Sequence, residues 1–360
     1  MTETNSSVAQ TLLPAWRGFN LVDLEHPIIQ EPSPRDTTED DFRWMSDWGF
    51  DFIRLPMAYP RWVDYDQSKP ITKDDIYKIK ESTLDQVDKF VELGQKYSLH
   101  VSLNFHRGPG YCVNAGFQEP FDLWNDREAL DALCYYWGMF GKRYRDIPPS
   151  KISFNLLNEP SVRDLNDQNG VREPVPGDTY RAVVEASMKA IRESNSDHLI
   201  ISDGNNVGRE VIHEIADLDI AQSCRSYYPV TVSHYNVPWL PEGKFPEPVW
   251  PDAKGDEYWD GGGYWDRARL ERFYEPWVDL ARKGVGVHCG ECGCFNLTPH
   301  EVLLSWFGDV VDILRGHGIG YAMWNFRGEF GVMDSGRTDV EYEDWFGHKL
   351  DRKLLELMRE

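Results

Sequence analysis

The chain contains 360 residues and has a mass of 41.8 kDa, a size that fits one large barrel or two ordinary domains. Its 60 acidic and 38 basic residues give a formal net charge of -22, which argues against nucleic acid and anionic membrane surfaces as partners. Aromatic residues make up 13% of the chain and include 14 Trp, and such rings bind the apolar faces of sugars and other cyclic ligands.

Eight apolar runs are typical of strands, and amphipathic segments separate most of them. We number the predicted strands β1 to β8, at residues 17–22, 50–56, 100–106, 152–158, 198–203, 231–235, 285–291 and 319–325. The predicted helices cover residues 38–48, 82–97, 127–144, 178–194, 264–282, 299–317 and 346–358, while the fifth crossover, near residues 209–216, is short and poorly periodic. The alternation predicts a single (β/α)8 TIM barrel over residues 1–360, with residues 1–15 as an extended N-terminal segment.

The amino terminus, the apolar stretches and the cysteines together predict the location of the protein. Residues 1–13 lack a basic start followed by an apolar segment, and no apolar stretch approaches the roughly 20 residues that span a bilayer. Six Cys, three of them between positions 289 and 294, do not resemble a secreted disulfide framework. We therefore expect reduced thiols and a cytoplasmic protein without membrane insertion, or a secreted one if a signal peptide has been removed.

Polar side chains interrupt the predicted strands at their carboxyl ends, where (β/α)8 barrels carry their active sites. They are Arg54, Asn104, His106, Asn158, Glu159, His234, Tyr235, Glu291, Trp324 and Asn325. Any one of them alone is explained as a core or loop residue. Six strand ends that all carry such groups predict one polar site at the mouth of the barrel.

Two carboxylates stand out within this ring. Glu159 follows Asn158 at the end of β4, and Glu291 ends β7, so the two face each other across the predicted mouth. Cleavage of a glycosidic bond needs one protonated and one ionised carboxyl group. A separation of about 5 to 5.5 Å predicts direct attack with retention of configuration, whereas a wider gap admits a water molecule and inverts it.

The chain resembles glycoside hydrolase family 5, the cellulase family of clan A, over most of its length. The resemblance is carried by Ile53-Arg54-Leu55-Pro56, Leu103-Asn104-Phe105-His106-Arg107, Leu157-Asn158-Glu159-Pro160, Ser233-His234-Tyr235, Cys289-Gly290-Glu291-Cys292-Gly293 and Ala322-Met323-Trp324-Asn325-Phe326. It implies a retaining, cellulase-like β-glycoside hydrolase that needs no cofactor or metal. The implied substrate is a β-linked glucan or a related β-glucoside or β-mannan.

The resemblance also implies roles for individual residues. Glu159 is the implied acid/base and Glu291 the implied nucleophile. The implied supporting residues are Arg54 and His234 beside the carboxylates, Asn158 and His106 on sugar hydroxyls, and Trp324 as the platform under the cleaved sugar. Many members carry His, any residue, then Tyr on the sixth strand. Here Tyr235 follows His234 directly and Asn236 takes the later place, so the sequence leaves open which of them fills the role.

The loops after β3 and β6 are long and aromatic, and they are expected to select the substrate. The candidate subsite aromatics are Tyr111, Trp124, Trp239 and Trp259. Such loops either wall an open cleft or close one end of it. An exo-acting β-glucosidase or glucanase that trims oligosaccharides or a glycolipid is therefore an alternative to an endoglucanase.

Two further alternatives come from other classes of protein. A carbohydrate-binding barrel without catalysis would have no chemical reason to keep both carboxylates with their Arg and His partners. A metal site in His288-Cys289-Gly290-Glu291-Cys292-Gly293-Cys294 lacks the further ligand pair of a tetrahedral site, and buried thiols explain the segment better. The sugar, its linkage and the oligomeric state are left open.

Overall fold

The computed structural model describes residues 13–28, 36–114, 116–162, 172–240 and 245–360. Eight parallel strands close into a barrel, because each strand pairs with the next along the chain and the last pairs with the first. They are β1 Arg17–Asn20, β2 Phe52–Ala58, β3 His100–Gly108, β4 Ile152–Asn155, β5 Leu199–Asp203, β6 Ala221–Ser226, β7 Val287–Cys292 and β8 Gly320–Met323. The predicted (β/α)8 TIM barrel is confirmed. Of the segment predicted over residues 1–15, residues 1–12 lie outside the described residues.

Helices surround the barrel and bury their apolar faces against it. They are α1 Glu39–Asp47, α2 Glu81–Lys96, α3 Arg127–Arg143, α4 Gly177–Arg192, the short α5 Asn205–Gly208, α6 Arg267–Arg282, α7 His300–Gly316 and α8 Arg352–Arg359. In α2, for example, the buried residues Leu84, Val87 and Val91 recur every three or four positions. Over the described residues, we find no helix with the length and apolar character needed to cross a bilayer.

The predicted position of the sixth strand is wrong. Residues 231–235 were expected to form it, but Val230–Ser233 is a single helical turn and the strand is Ala221–Ser226. Pro229 lies directly before this turn, and proline cannot donate a hydrogen bond to a strand ladder. The true strand is polar yet fully buried, and the Gln222 side chain, for instance, bonds both backbone groups of Ile212. Because its residues are polar, the strand does not appear as an apolar run in the sequence.

The loops after β3 and β6 are long, as predicted. In the first, Tyr111–Cys112 folds back to pair with Arg107 and Gly108. In the second, Ala253–Lys254 pairs with Tyr264–Trp265. Both loops leave the carboxyl ends of their strands, so they border the mouth of the barrel.

Lowering the pH is expected to destabilise the fold through two histidines at the amino-terminal end of the barrel. His100 stacks on Trp16 at 3.9 Å between ring centroids, and burial lowers its pKa to about 3. Burial likewise lowers the pKa of His288 to about 4. Both are neutral in the folded protein, so below pH about 6.5 the unfolded chain binds more protons. Each then removes up to about 1.4 kcal/mol of unfolding free energy per pH unit, until the pH reaches its folded pKa.

Urea midpoints measured between pH 7 and pH 4.5 check this expectation. His100→Gln should flatten the fall in midpoint with acidity, while the exposed His213→Gln should leave the slope of the native protein unchanged. Equal slopes in all three proteins would contradict the assignment.

Candidate active site

Arg54 joins the side chains at the mouth of the barrel. The residue is 1% exposed, so each of its five N–H groups needs a partner. It donates to Glu291 Oε1 at 2.7 Å, Asn158 Oδ1 at 2.6 Å, Asn155 Oδ1 at 2.8 Å, Asn20 Oδ1 at 3.0 Å and Asp203 Oδ2 at 3.4 Å. The buried guanidinium is therefore fully satisfied, and it fixes the oxygens of carboxyl and amide groups from β1, β4, β5 and β7.

A bulge in β7 aims Glu291 into the site. Cys289 pairs with Cys224 of β6 and Glu291 pairs with Arg225, so Gly290 is an extra residue in the ladder. A Cβ atom at Gly290 would lie 2.5 Å from Ser223 Oγ and 2.9 Å from Arg225 Nη1, so a larger residue would displace these side chains. Strict alternation predicts Cys289 and Glu291 on one face. The bulge separates them, because Glu291 contacts the two arginines while Cys289 contacts Ser226 at 2.9 Å.

Three donors surround the Glu291 carboxylate. Besides Arg54, Arg225 Nη2 lies 3.3 Å from Oε1 and the Tyr227 hydroxyl donates to Oε2 at 3.0 Å. Burial, and then the nearby charge of Glu291, raise the pKa of Tyr227 well above its usual value, so the phenol stays protonated and able to donate. These three donors fix the orientation of the Glu291 carboxylate.

Glu159 lies just beyond β4 in a different setting. Arg225 Nε donates to its Oε1 at 3.0 Å. Its φ of +47° is in the left-handed region, which costs a non-glycine residue about 1–2 kcal/mol. Two contacts hold this backbone: the Glu159 N–H donates to Asp203 Oδ2 at 3.1 Å, and its carbonyl accepts from the Tyr111 hydroxyl at 2.6 Å. Burial, and then the charge of Glu291, raise the pKa of Glu159 to about 7.

The amide nitrogen of Asn158 has no partner among the described residues, although its side chain is fully buried. Its oxygen accepts from Arg54 at 2.6 Å and from Arg225 at 3.0 Å. Because both partners are obligate donors, the amide can only be oriented with its oxygen toward them. Both N–H donors of the Asn158 amide are thereby left without a partner among the described residues.

His106 and Trp324 form a second part of the mouth. Their rings stack at 5.6 Å between centroids with an interplanar angle of 23°. Burial, and then the charges of Arg54, Arg107 and Arg225, hold the pKa of His106 well below its usual value, so the ring is neutral. Its Nε2 lies 3.0 Å from Asn114 Nδ2, and its Nδ1 has no partner among the described residues.

Comparison with known proteins identifies the family. Residues 4–329 match the family model described as cellulase, glycosyl hydrolase family 5. The chain belongs to glycosyl hydrolase family 5. It is therefore an O-glycosyl hydrolase of the cellulase family, and the resemblance found in its motifs is confirmed.

Relatives that match most of the chain agree with this assignment. The family 5 chain is 26% identical over 329 residues to Endoglucanase C of Acetivibrio thermocellus, covering 85% of this chain and 89% of that protein. It is 24% identical over 287 residues to Cellodextrinase A of Ruminococcus flavefaciens, covering 78% and 76%. A crystal structure of a glycoside hydrolase superposes with a TM-score of 0.84 at 32% identity, covering 96% of this chain and 98% of that one.

The expected support of the carboxylates by His234 and Tyr235 is wrong. His234 contacts neither glutamate; its ring packs edge-on against Tyr227 at 5.0 Å, and its Nδ1 lies 2.8 Å from Ser233 Oγ. Tyr227, rather than Tyr235 or Asn236, donates to Glu291. The error follows from the misplaced sixth strand.

Five polar residues that contact Arg54 or the two carboxylates were not among the predicted site residues: Asn20, Asn155, Asp203, Arg225 and Tyr227. The sequence contained a signal for three of them. Arg225-Ser226-Tyr227 keeps the spacing of the family 5 pattern of His, any residue, then Tyr, with arginine in place of histidine. Asp203 also ends a correctly predicted strand.

Two of the four aromatic residues expected as sugar platforms instead support the loop after Glu159. Tyr111 is 1% exposed, and besides the Glu159 carbonyl its hydroxyl contacts Ser161 Oγ at 2.9 Å. Trp124 packs edge-on against Tyr111 at 5.1 Å and donates to the Ser161 carbonyl at 3.1 Å. Trp259 has Arg172 over its face at 5.3 Å, whereas Trp239 is 56% exposed. Of the four, Trp239 has the most open ring face.

The cysteines of β7 lie behind the site. Cys289, Cys292 and Cys294 are fully buried, and Cys289 lies beside Ser226, which accepts from the Tyr274 hydroxyl at 2.7 Å. Within the described ranges, no group of three or more His, Cys, Asp or Glu side chains is arranged to hold a metal ion.

Proposed function

We propose that this family 5 enzyme is a retaining β-glycoside hydrolase of β-linked glucans, with Glu159 as acid/base and Glu291 as nucleophile. The observation that carries the proposal is the position of Arg225, whose guanidinium lies 3.0 Å from Glu159 and 3.3 Å from Glu291. Contact of one guanidinium with both carboxylates fits the separation of about 5 to 5.5 Å that direct attack requires. The endoglucanase and cellodextrinase relatives support a glucan as the substrate.

In the first step, Glu159 donates its proton to the leaving glycosidic oxygen while ionised Glu291 attacks the anomeric carbon. The C–O bond to the leaving group breaks, and a covalent bond from the sugar to Glu291 forms. In the second step, Glu159, now ionised, removes a proton from a water molecule that attacks the same carbon and releases Glu291. In this proposal the unpartnered NH2 group of Asn158 donates to a sugar hydroxyl, and Trp324 supplies an apolar face beneath the ring.

Retention of configuration is the direct expectation of this mechanism. Proton NMR of the first products from cello-, laminari-, manno- and xyloglucan oligosaccharides should show the β-anomer before mutarotation. The length of the products, measured on the same panel, separates endo from exo action. Initial formation of the α-anomer would contradict the proposed role of Glu291 as nucleophile.

Trp239 is expected to bind a sugar unit beyond the cleaved one. Its ring lies 6.2 Å from His234 and 6.4 Å from Phe330, both of which pack against Tyr227 beside Glu291. Loss of one stacking contact costs about 1 kcal/mol, so Trp239→Ala should reduce kcat/KM about fivefold to tenfold on tetra- and pentasaccharides.

The effect should depend on chain length. With aryl monoglycosides, Trp239→Ala should match the native enzyme, and Phe346→Ala, which removes another exposed aromatic ring, should match it on all substrates. An equal loss on short and long substrates would show that Trp239 acts through stability and not through binding.

A further inference from the structure

Asp203 is a buried carboxylate that the proposed mechanism does not use. It ends β5 and is fully buried. Its Oδ2 accepts from Arg225 and from the Glu159 N–H, and its Oδ1 accepts from Asn155 Nδ2 at 2.8 Å. A buried carboxylate is costly unless it is paired in this way, so its position at the centre of the site calls for a function.

The first consequence of this position is mechanical. The Glu159 N–H bond to Asp203 holds the residue in its left-handed backbone conformation, with φ at +47°. A conformation of this kind persists only where neighbouring groups hold it in place. Asp203 therefore helps to fix the direction in which the Glu159 side chain leaves the backbone.

The second consequence is electrostatic. Arg54 and Arg225 bring two permanent positive charges, and Asp203 and Glu291 offset them with two negative charges. The ionisable groups that face Glu159 are Tyr111 in the loop after β3, Asp203 on β5, Arg225 on β6, Tyr227 and Tyr228 just after β6, and Glu291 on β7. Arg54 on β2 pairs with Glu291 and Asp203. With the two arginines already balanced, a third negative charge on Glu159 is disfavoured.

We infer that Asp203 is a positioning residue that keeps the proton on Glu159 by offsetting Arg225 and that fixes the Glu159 backbone. Arg225 stands where many family 5 members carry a histidine, and its charge, unlike that of a histidine, does not depend on pH. Asp203 is the compensating charge that makes this arginine compatible with a protonated acid. The inference rests on the proposed role of Glu159.

The test compares the pH dependence of kcat/KM in variants that remove one or both of the charges on Asp203 and Arg225. Asp203→Asn keeps an oxygen for the Glu159 N–H but leaves Arg225 unbalanced, so the basic limb should move down by about one pH unit or more. Arg225→Gln leaves Asp203 unbalanced, so the limb should move up. The double variant should return it toward the native position.

Leaving groups provide a second readout. Asp203→Asn should lose about 100-fold in kcat/KM on phenyl glycosides but less than about tenfold on 2,4-dinitrophenyl glycosides, which need no proton donor. The control is Asp88→Asn, which breaks a pair with Arg143 on the outer helices and should keep the native pH profile.

The outcomes separate this inference from the proposed function. Coincident basic limbs in the native enzyme, Asp203→Asn and Arg225→Gln, or equal losses on both leaving groups, would overturn the role of Asp203. If Asp203→Asn does not fold, as judged by circular dichroism, the double variant decides the question, because its basic limb should lie below that of Arg225→Gln. Lack of glycosidase activity in the native protein would instead overturn the proposed function.

Discussion

Replacing Glu291 by alanine is expected to lower kcat/KM on nitrophenyl β-glycosides by about 10⁵-fold, which is the typical effect of removing an enzymatic nucleophile. The carboxylate has three donors, Arg54, Arg225 and Tyr227, which hold it in position. Without it, no covalent intermediate can form. Substrate binding should persist, because the unpaired Asn158 amide and the Trp324 ring are untouched.

Sodium azide supplies the control for this prediction. A small anion that enters the space left by the side chain should attack the anomeric carbon and restore turnover, giving the glycosyl azide of α configuration. Circular dichroism establishes that the variant is folded. Equal background rates for the native protein and the variant would refute catalysis and favour the alternative of a carbohydrate-binding barrel.

Replacing Glu159 by glutamine is expected to cost an amount that depends on the leaving group. General acid catalysis contributes about 10²- to 10⁴-fold, so phenyl glycosides should lose that much while 2,4-dinitrophenyl glycosides lose far less in kcat/KM. The pKa of Glu159 is raised to about 7 by burial and by the charge of Glu291. In the native enzyme the acid is therefore lost as the pH rises through about 7, which sets the basic limb of the profile.

In Glu159→Gln this basic limb should disappear, because the amide does not titrate. Glu291→Gln offers the contrast, since it should reduce turnover of both leaving groups. A uniform loss in Glu159→Gln across leaving groups, or a basic limb that remains near pH 7, would assign the acid to another residue.

Several features of the fold and site were predictable because their signals are local. Seven of the eight strands follow from apolar runs, which arise because a barrel strand is packed on both faces. Glu159 and Glu291 follow from their motifs at strand ends, and the structure brings both to the mouth of the barrel beside Arg54 and Arg225. The prediction of the sixth strand was wrong for the opposite reason. Its buried residues are polar, and their hydrogen bonds are made with partners that are not adjacent in the sequence.

The sequence by itself determined the barrel, the family and the two carboxylates, because periodicity and short motifs are written in consecutive residues. Only the tertiary structure decided which side chains contact each of these carboxylates. The Gly290 bulge turns Glu291 toward Arg225, and Tyr227 takes the place expected for Tyr235. Asp203 meets the Glu159 backbone from the neighbouring strand. Such contacts join residues that are tens of positions apart, and they depend on strand register, which no local pattern specifies.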